Sequence, residues 1–240
     1  MTIARSLSCA TLLATLAVGC ADNDQTLVVL QAQAEDASTC VPAPSEGAAG
    51  ITFGVVDVRA DGYVMTPLLK NYADSTGSLE AQRRVLVEGA RVSISFADDE
   101  LFTAAELTQL DEAGLLSFET RQTAPVDPDG GLLTLGVRVI PEELLRAIGT
   151  KLLPGDDTVV LTNTTFFGQM GGGDITSTTF PFPVTACADC LINDLGACPL
   201  PAGTTPAPGS ACVAGQNVPV DCCSDGAGGL VCPATVTPTT

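Results

Sequence analysis

Sulfur and carboxylate are the reactive groups that this chain holds in quantity. Its 240 residues include 10 Cys and 28 Asp plus Glu, against 10 Lys plus Arg, with neither His nor Trp. Without His there is no Ser-His-Asp triad, no Cys-His pair and no imidazole-ligated zinc. A formal charge of −18 sets the chain against nucleic acid, whose phosphates need a basic face. The 8 Phe and 2 Tyr offer little platform for stacking bases. Cys187-Ala188-Asp189-Cys190 has the spacing of a redox pair, yet no strand–helix–strand pattern surrounds it and no helix is placed to lower a thiolate pKa. An all-Cys zinc site would want a second such spacing, and the chain offers the adjacent Cys222 and Cys223 instead.

The carboxylates form three clusters that could supply oxygens to calcium: Asp98-Asp99-Glu100, Asp127-Pro128-Asp129-Gly130 and Asp156-Asp157. The middle one opens like an EF-hand loop, but Gly131 and Arg138 stand where that loop needs Asp or Asn and then Glu. Pro-Asp-Gly is first of all a turn. No cofactor is therefore expected, calcium being the one ion that the acidic density would suit. A carboxylate pair acting on a glycoside would lack sugar-stacking Trp. Lys70 and Lys151 sit in no Ser-Lys motif. Asn163-Thr164-Thr165 matches a glycosylation sequon, and Arg83-Arg84 reads as a strand-edge gatekeeper. The residues give no catalytic constellation.

Residues 1–19 read as an export signal: Arg5 precedes an apolar run from Leu7 to Val18, about 12 residues where a spanning helix needs roughly 20. The run closes on Leu16-Ala17-Val18-Gly19-Cys20, which is similar to the lipobox of bacterial lipoproteins. That resemblance implies a diacylglyceryl group on the Cys20 sulfur and cleavage just before it. It also implies, with Ala21 following, delivery to the outer membrane. Two or three acyl chains hold a protein firmly, at about 0.8 kcal/mol per buried CH₂. The other reading is an ordinary secretory peptide cut after Ala21. Removal of Arg5 leaves 9 basic and 28 acidic residues, a net −19, which keeps a mature chain soluble and off anionic surfaces.

Cys9 leaves with the signal and Cys20 is taken by lipid, so Cys40, Cys187, Cys190, Cys198, Cys212, Cys222, Cys223 and Cys232 remain. An even remainder in an exported chain implies four disulfides. Seven of the eight lie beyond residue 186, so Cys40 should reach one of them, with Cys187 or Cys190 expected because both follow the last strand. Cys222 and Cys223 should bond to different partners. Residues 187–240 hold no Phe, Tyr, Trp or Met. Such a segment cannot repay roughly 1.5 kcal/mol of ordering entropy per residue by burial and needs cross-links.

The body that must position these groups reads as strands punctuated by turns. Thr26–Ala34, Ile51–Val58, Tyr63–Leu69 after the Asp61-Gly62 turn, and Val85–Phe96 with a bulge at Gly89 all fit strand patterning. Leu115–Thr120 and Leu132–Ile140 flank Pro128–Gly131, predicting a hairpin, and Thr158–Phe167 with Ile175–Val184 flank Met170–Asp174, predicting another. Thr103–Ala113 carries a capping box at Thr103 and Glu106, and Pro141–Ile148 reads as a second short helix. About eight short strands with two helices predict a mainly β, immunoglobulin- or fibronectin-like sandwich. The expected organisation is signal 1–19, lipid-anchored linker 20–25, sandwich 26–186, an irregular Cys-rich disulfide-bonded tail 187–232 and a disordered end 233–240.

Phe180-Pro181-Phe182-Pro183-Val184 running into Cys187-Ala188-Asp189-Cys190-Leu191, with the lipobox in front, resembles a loose group of Cys-rich bacterial lipoproteins of uncharacterised function. The resemblance implies an envelope protein with a β-rich body and carries over no catalytic residue. The expected function is a non-enzymatic envelope module that meets the membrane through its lipid and an envelope or extracellular protein through its loops or sheet edges. The alternatives are an envelope hydrolase using an Asp/Glu pair and a calcium-dependent adhesion module.

Overall fold

The computed structural model describes residues 26–36, 39–74, 80–210, 212–227 and 229–233. The signal, Cys20 with the linker to residue 25, and residues 234–240 lie outside the described residues. The chain is mainly β. In order it runs β1 (Leu27–Gln33), β2 (Gly50–Ile51), β3 (Gly54–Asp57), β4 (Gly62–Met65), β5 (Pro67–Asn71), α1 (Glu80–Arg83), β6 (Val85–Phe96), α2 (Ala104–Glu112), β7 (Ser117–Val126), β8 (Leu132–Thr134) and β9 (Val137–Pro141). It continues with α3 (Glu142–Gly149), β10 (Asp157–Met170), β11 (Gly173–Thr176), β12 (Phe180–Cys187), β13 (Ile192–Ala197), β14 (Val220–Ser224) and β15 (Leu230–Val231).

Four sheets result. One has the order β2-β1-β5-β8, and the largest has β3-β12-β10-β6-β7 with β11 on β10. Two smaller ones are β13-β14-β15 and β4-β9. β6 shows how patterning builds the large sheet. Val85 and Val87, then Ala90, Val92 and Ile94, are buried, with Leu86, Arg91, Ser93 and Ser95 exposed between them. The phase of two slips by one residue where the register with β7 shifts between Val87 and Gly89. Gly89 is needed at this bulge, because a Cβ there would lie 2.1 Å from the Thr120 carbonyl oxygen and 2.9 Å from the Phe167 ring.

Local signals land where they are read. Thr103 caps α2 and Glu106 completes the box, its carboxylate accepting the Thr103 backbone N–H at 2.8 Å. The turn at 171–172 joins β10 to β11 as a hairpin. Other expectations are corrected. α1 is a third helix, one turn long. α3 starts one residue later than expected, with Pro141 as its extended cap residue. The turn at Pro128–Gly131 does not make a hairpin of its flanks: β7 pairs with β6, and β8 pairs with β5. Asn71 explains the route, since its backbone exchanges hydrogen bonds with the turn, donating to Gly131 O at 3.0 Å and accepting from Gly130 N at 2.9 Å.

The segment after β12 is irregular over the described residues of 198–219, as expected, but it is neither strandless nor an appendage. It forms the β13-β14-β15 sheet, and Ile192, Val213, Val220 and Cys222 are buried in the same apolar cluster as Leu27, Val92, Phe166, Phe182 and the α3 residues Leu144, Leu145 and Ile148. Among the described residues no helix is long and apolar enough to cross a membrane.

Candidate functional site

The cysteines come together as four pairs: Cys40 with Cys212, Cys187 with Cys190, Cys198 with Cys223 and Cys222 with Cys232. Cys222 and Cys223 go to separate partners. Cys40 reaches Cys212, not Cys187 or Cys190, because the CxxC pair closes on itself at the end of β12 and the chain after β1 lies against Ser210, Cys212, Gln216 and Asn217 instead. That stretch is fastened by polar contacts as well. Glu35 accepts hydrogen bonds from Ser210, Gln216 and, at 2.8 Å, Asn217 Nδ2. Fully buried Gln216 stands in for a strand: its Oε1 accepts the Val64 N–H and its Nε2 donates to the Val64 carbonyl, both at 2.8 Å. Asn217 accepts the Val55 N–H at 3.0 Å and the Tyr63 hydroxyl at 3.3 Å. Burial pushes that hydroxyl's pKa well up, outweighing the Asn217 bond.

A second fastening was invisible in the sequence. Asp57, at the end of β3, is wholly buried. Its Oδ2 accepts the backbone N–H groups of Cys190, Leu191 and Ile192 at 3.0, 3.2 and 3.1 Å. Its Oδ1 accepts Arg59 N and Nε at 3.0 and 3.1 Å. Arg59 in turn pairs with Asp189 at 3.1 Å and donates to Ile192 O. The turn of the CxxC thus wraps one carboxylate with successive N–H groups, a backbone anion nest. Parallel pairing of β3 with β12 puts Asp57 opposite Cys187 and makes the nest possible. Cys187 is buried and Cys190 exposed. A carboxylate on the Cys190 backbone opposes a thiolate there, so the surroundings suit a structural pair rather than redox chemistry.

Burial alone would raise the Asp57 pKa, but the Arg59 side chain and the N–H groups of Ile192, Arg59 and Leu191 outweigh it and hold the carboxyl below its ordinary value of 3.8. Glu106 is drawn from 4.5 to about 2 by Lys151 and by the Thr103 backbone and hydroxyl. A depressed folded-state pKa gives stability that is complete above the unfolded value and lost as pH falls through the folded one. The urea midpoint should therefore hold between about pH 7 and 5 and fall steadily from about pH 4.5 toward 2. A midpoint unchanged at about pH 2.5 would contradict these assignments.

The three acidic clusters separate in space and in state. Asp127 is paired with Arg84 at 2.7 Å. Asp156 accepts the Leu153 N–H at 3.2 Å, a turn contact. Asp98 accepts the Glu100 N–H at 2.9 Å, and neither Asp98 nor Asp99 has an ion-pair partner among the described residues. Also among the described residues, no three His, Cys, Asp or Glu converge as metal ligands. Lys70 is paired with Glu46 at 2.6 Å and Lys151 with Glu106 at 2.5 Å. Thr164 of the sequon lies buried in β10.

Asp98 and Asp99 border a pocket of about 360 Å³ between the end of β6, the start of β7 and α2. Its other lining residues are Ile94, Ser95, Phe96, Phe102, Leu107 and Leu116. No protein-family model, curated protein sequence or solved structure matches the chain.

Proposed function

We propose that this chain is a lipid-anchored, non-enzymatic binding module of the bacterial cell envelope, with an immunoglobulin- or fibronectin-like sandwich as its body. The observation that carries the reading is Leu16–Cys20 at the end of a short apolar run, followed by eight further cysteines that fall into four pairs. The sandwich reading is supported by the four-stranded and six-stranded sheets, both of which contribute to one apolar cluster.

An anchor at Cys20 would hold one end of the body near the bilayer. β1 begins at Leu27 opposite Asn71, and the Asn71 side chain donates to Arg83 O and Val126 O. The N-terminal entry therefore lies at the start of β6 and the end of β7. A six-residue linker spans at most about 20 Å. β6 carries the chain a further 36 Å or so along the strand, so Phe96, the Asp98–Glu100 loop and α2 lie at the end of β6 remote from the tether.

Metabolic labelling with radioactive palmitate tests the anchor. Label should enter the chain, disappear in Cys20→Ala, and stay on an uncleaved precursor under globomycin. An unlabelled mature chain beginning after Ala21 would overturn the reading.

A further inference from the structure

We infer that the pocket between β6 and α2 binds a small organic ammonium ion, its apolar body inside and its charge at the Asp98–Asp99 mouth. This rests on the binding-module reading and is independent of the anchor. A space of about 360 Å³ is at the lower end of small-ligand cavities and holds an apolar body of roughly ten non-hydrogen atoms. Phe96 and Phe102 pack against each other there, with centroids 5.0 Å apart and planes tilted by 55°, and supply the apolar wall for the ligand's body.

Charge selects among ligands. Of the three acidic clusters, this is the one whose carboxylates lie beside an apolar cavity and have no cation paired to them among the described residues. Lys151, 5.6 Å from the Phe102 centroid, is engaged by Glu106. An anionic ligand would be repelled by both aspartates and by a net charge of −18. A neutral one can at most donate a hydrogen bond to an exposed carboxylate, without the attraction of opposite charge. An ammonium head on an apolar stem satisfies the carboxylates and fills the cavity together.

The test is calorimetric titration of the full chain in zwitterionic nanodiscs with phenethylammonium, phenethyl alcohol and 3-phenylpropanoate. The ammonium should bind one per chain, about tenfold or more tighter than the alcohol, and the carboxylate not at all. The double variant Asp98→Asn/Asp99→Asn should erase the preference for the cation while leaving alcohol binding in place, and about 0.5 M salt should weaken the cation alone. Leu107→Trp, which fills the cavity, should abolish both. Equal binding of cation and alcohol, a cation preference that survives the double variant, or binding undiminished in Leu107→Trp would each overturn the inference. So would no binding of any probe at about 10 mM, and that result leaves a palmitate-labelled anchor standing.

Discussion

Replacing both Cys40 and Cys212 with Ser should cost about 4–5 kcal/mol of unfolding free energy, the largest loss that any one cross-link in this chain can cause. The reason is loop length. This pair spans 172 residues, whereas the other three span 3, 25 and 10. The entropy removed from the unfolded chain grows with the logarithm of the loop, so the same exchange at Cys187 and Cys190 should cost about 2 kcal/mol. The bond also ties the loop after β1 to residues whose neighbours Gln216 and Asn217 complete the hydrogen bonding of Val55 and Val64. Urea unfolding of the two double variants makes the comparison, with no odd thiol left in either. A Cys40/Cys212 variant within about 1 kcal/mol of the parent would contradict a stabilising link between these two residues.

Asp57→Asn should be the next most damaging, at about 2–3 kcal/mol. The substitution keeps the shape but removes the charge, and it turns one acceptor into an NH₂ that must face the N–H groups of Cys190, Leu191 and Ile192 or those of Arg59. Whichever way the amide turns, donors that now meet the carboxylate face an NH₂ group, and the Ile192 N–H among them is buried. The second effect is local. The Cys190–Ile192 turn loses the group that orders it, so the exposed Cys190 should be reduced faster by dithiothreitol than in the parent. If the variant unfolds at the parent's urea concentration and is reduced at the parent's rate, Asp57 does not organise the turn.

What could be read in the chain beforehand divides by sequence distance. The bulge at Gly89, the capping box at Thr103 and Glu106, and the hairpin at Gly171-Gly172 depend on residues within a few positions of one another, and all three stand in the structure. The pairing of β8 with β5 did not show, because a Pro-Asp-Gly-Gly turn states that the chain reverses and not which strand receives it. Asp57 looked like any acid in a strand. Its role depends on residues 133 to 135 positions away, brought to it by a parallel neighbour that hydrophobic patterning does not report. The same holds for the partner of Cys40. Counting cysteines gives their number, but only the path of the loop after β1 decides that Cys212 is nearer than Cys187. The pocket was half legible: the Asp98-Asp99-Glu100 run stood out, whereas the meeting of Phe96 and Phe102 beside it required α2 to fold back over the end of β6.

The claim beneath all of this is that the cysteine-rich segment is welded into the β body by covalent and polar links and does not trail from it. Peptide mapping of the unreduced, membrane-extracted protein by mass spectrometry tests it most directly. The Cys40 peptide should be linked to the Cys212 peptide, Cys187 and Cys190 should be joined to each other, and the peptide holding the adjacent Cys222 and Cys223 should carry both the Cys198 and the Cys232 peptides. Free thiols at these eight positions, or Cys40 linked to any residue other than Cys212, would contradict the account.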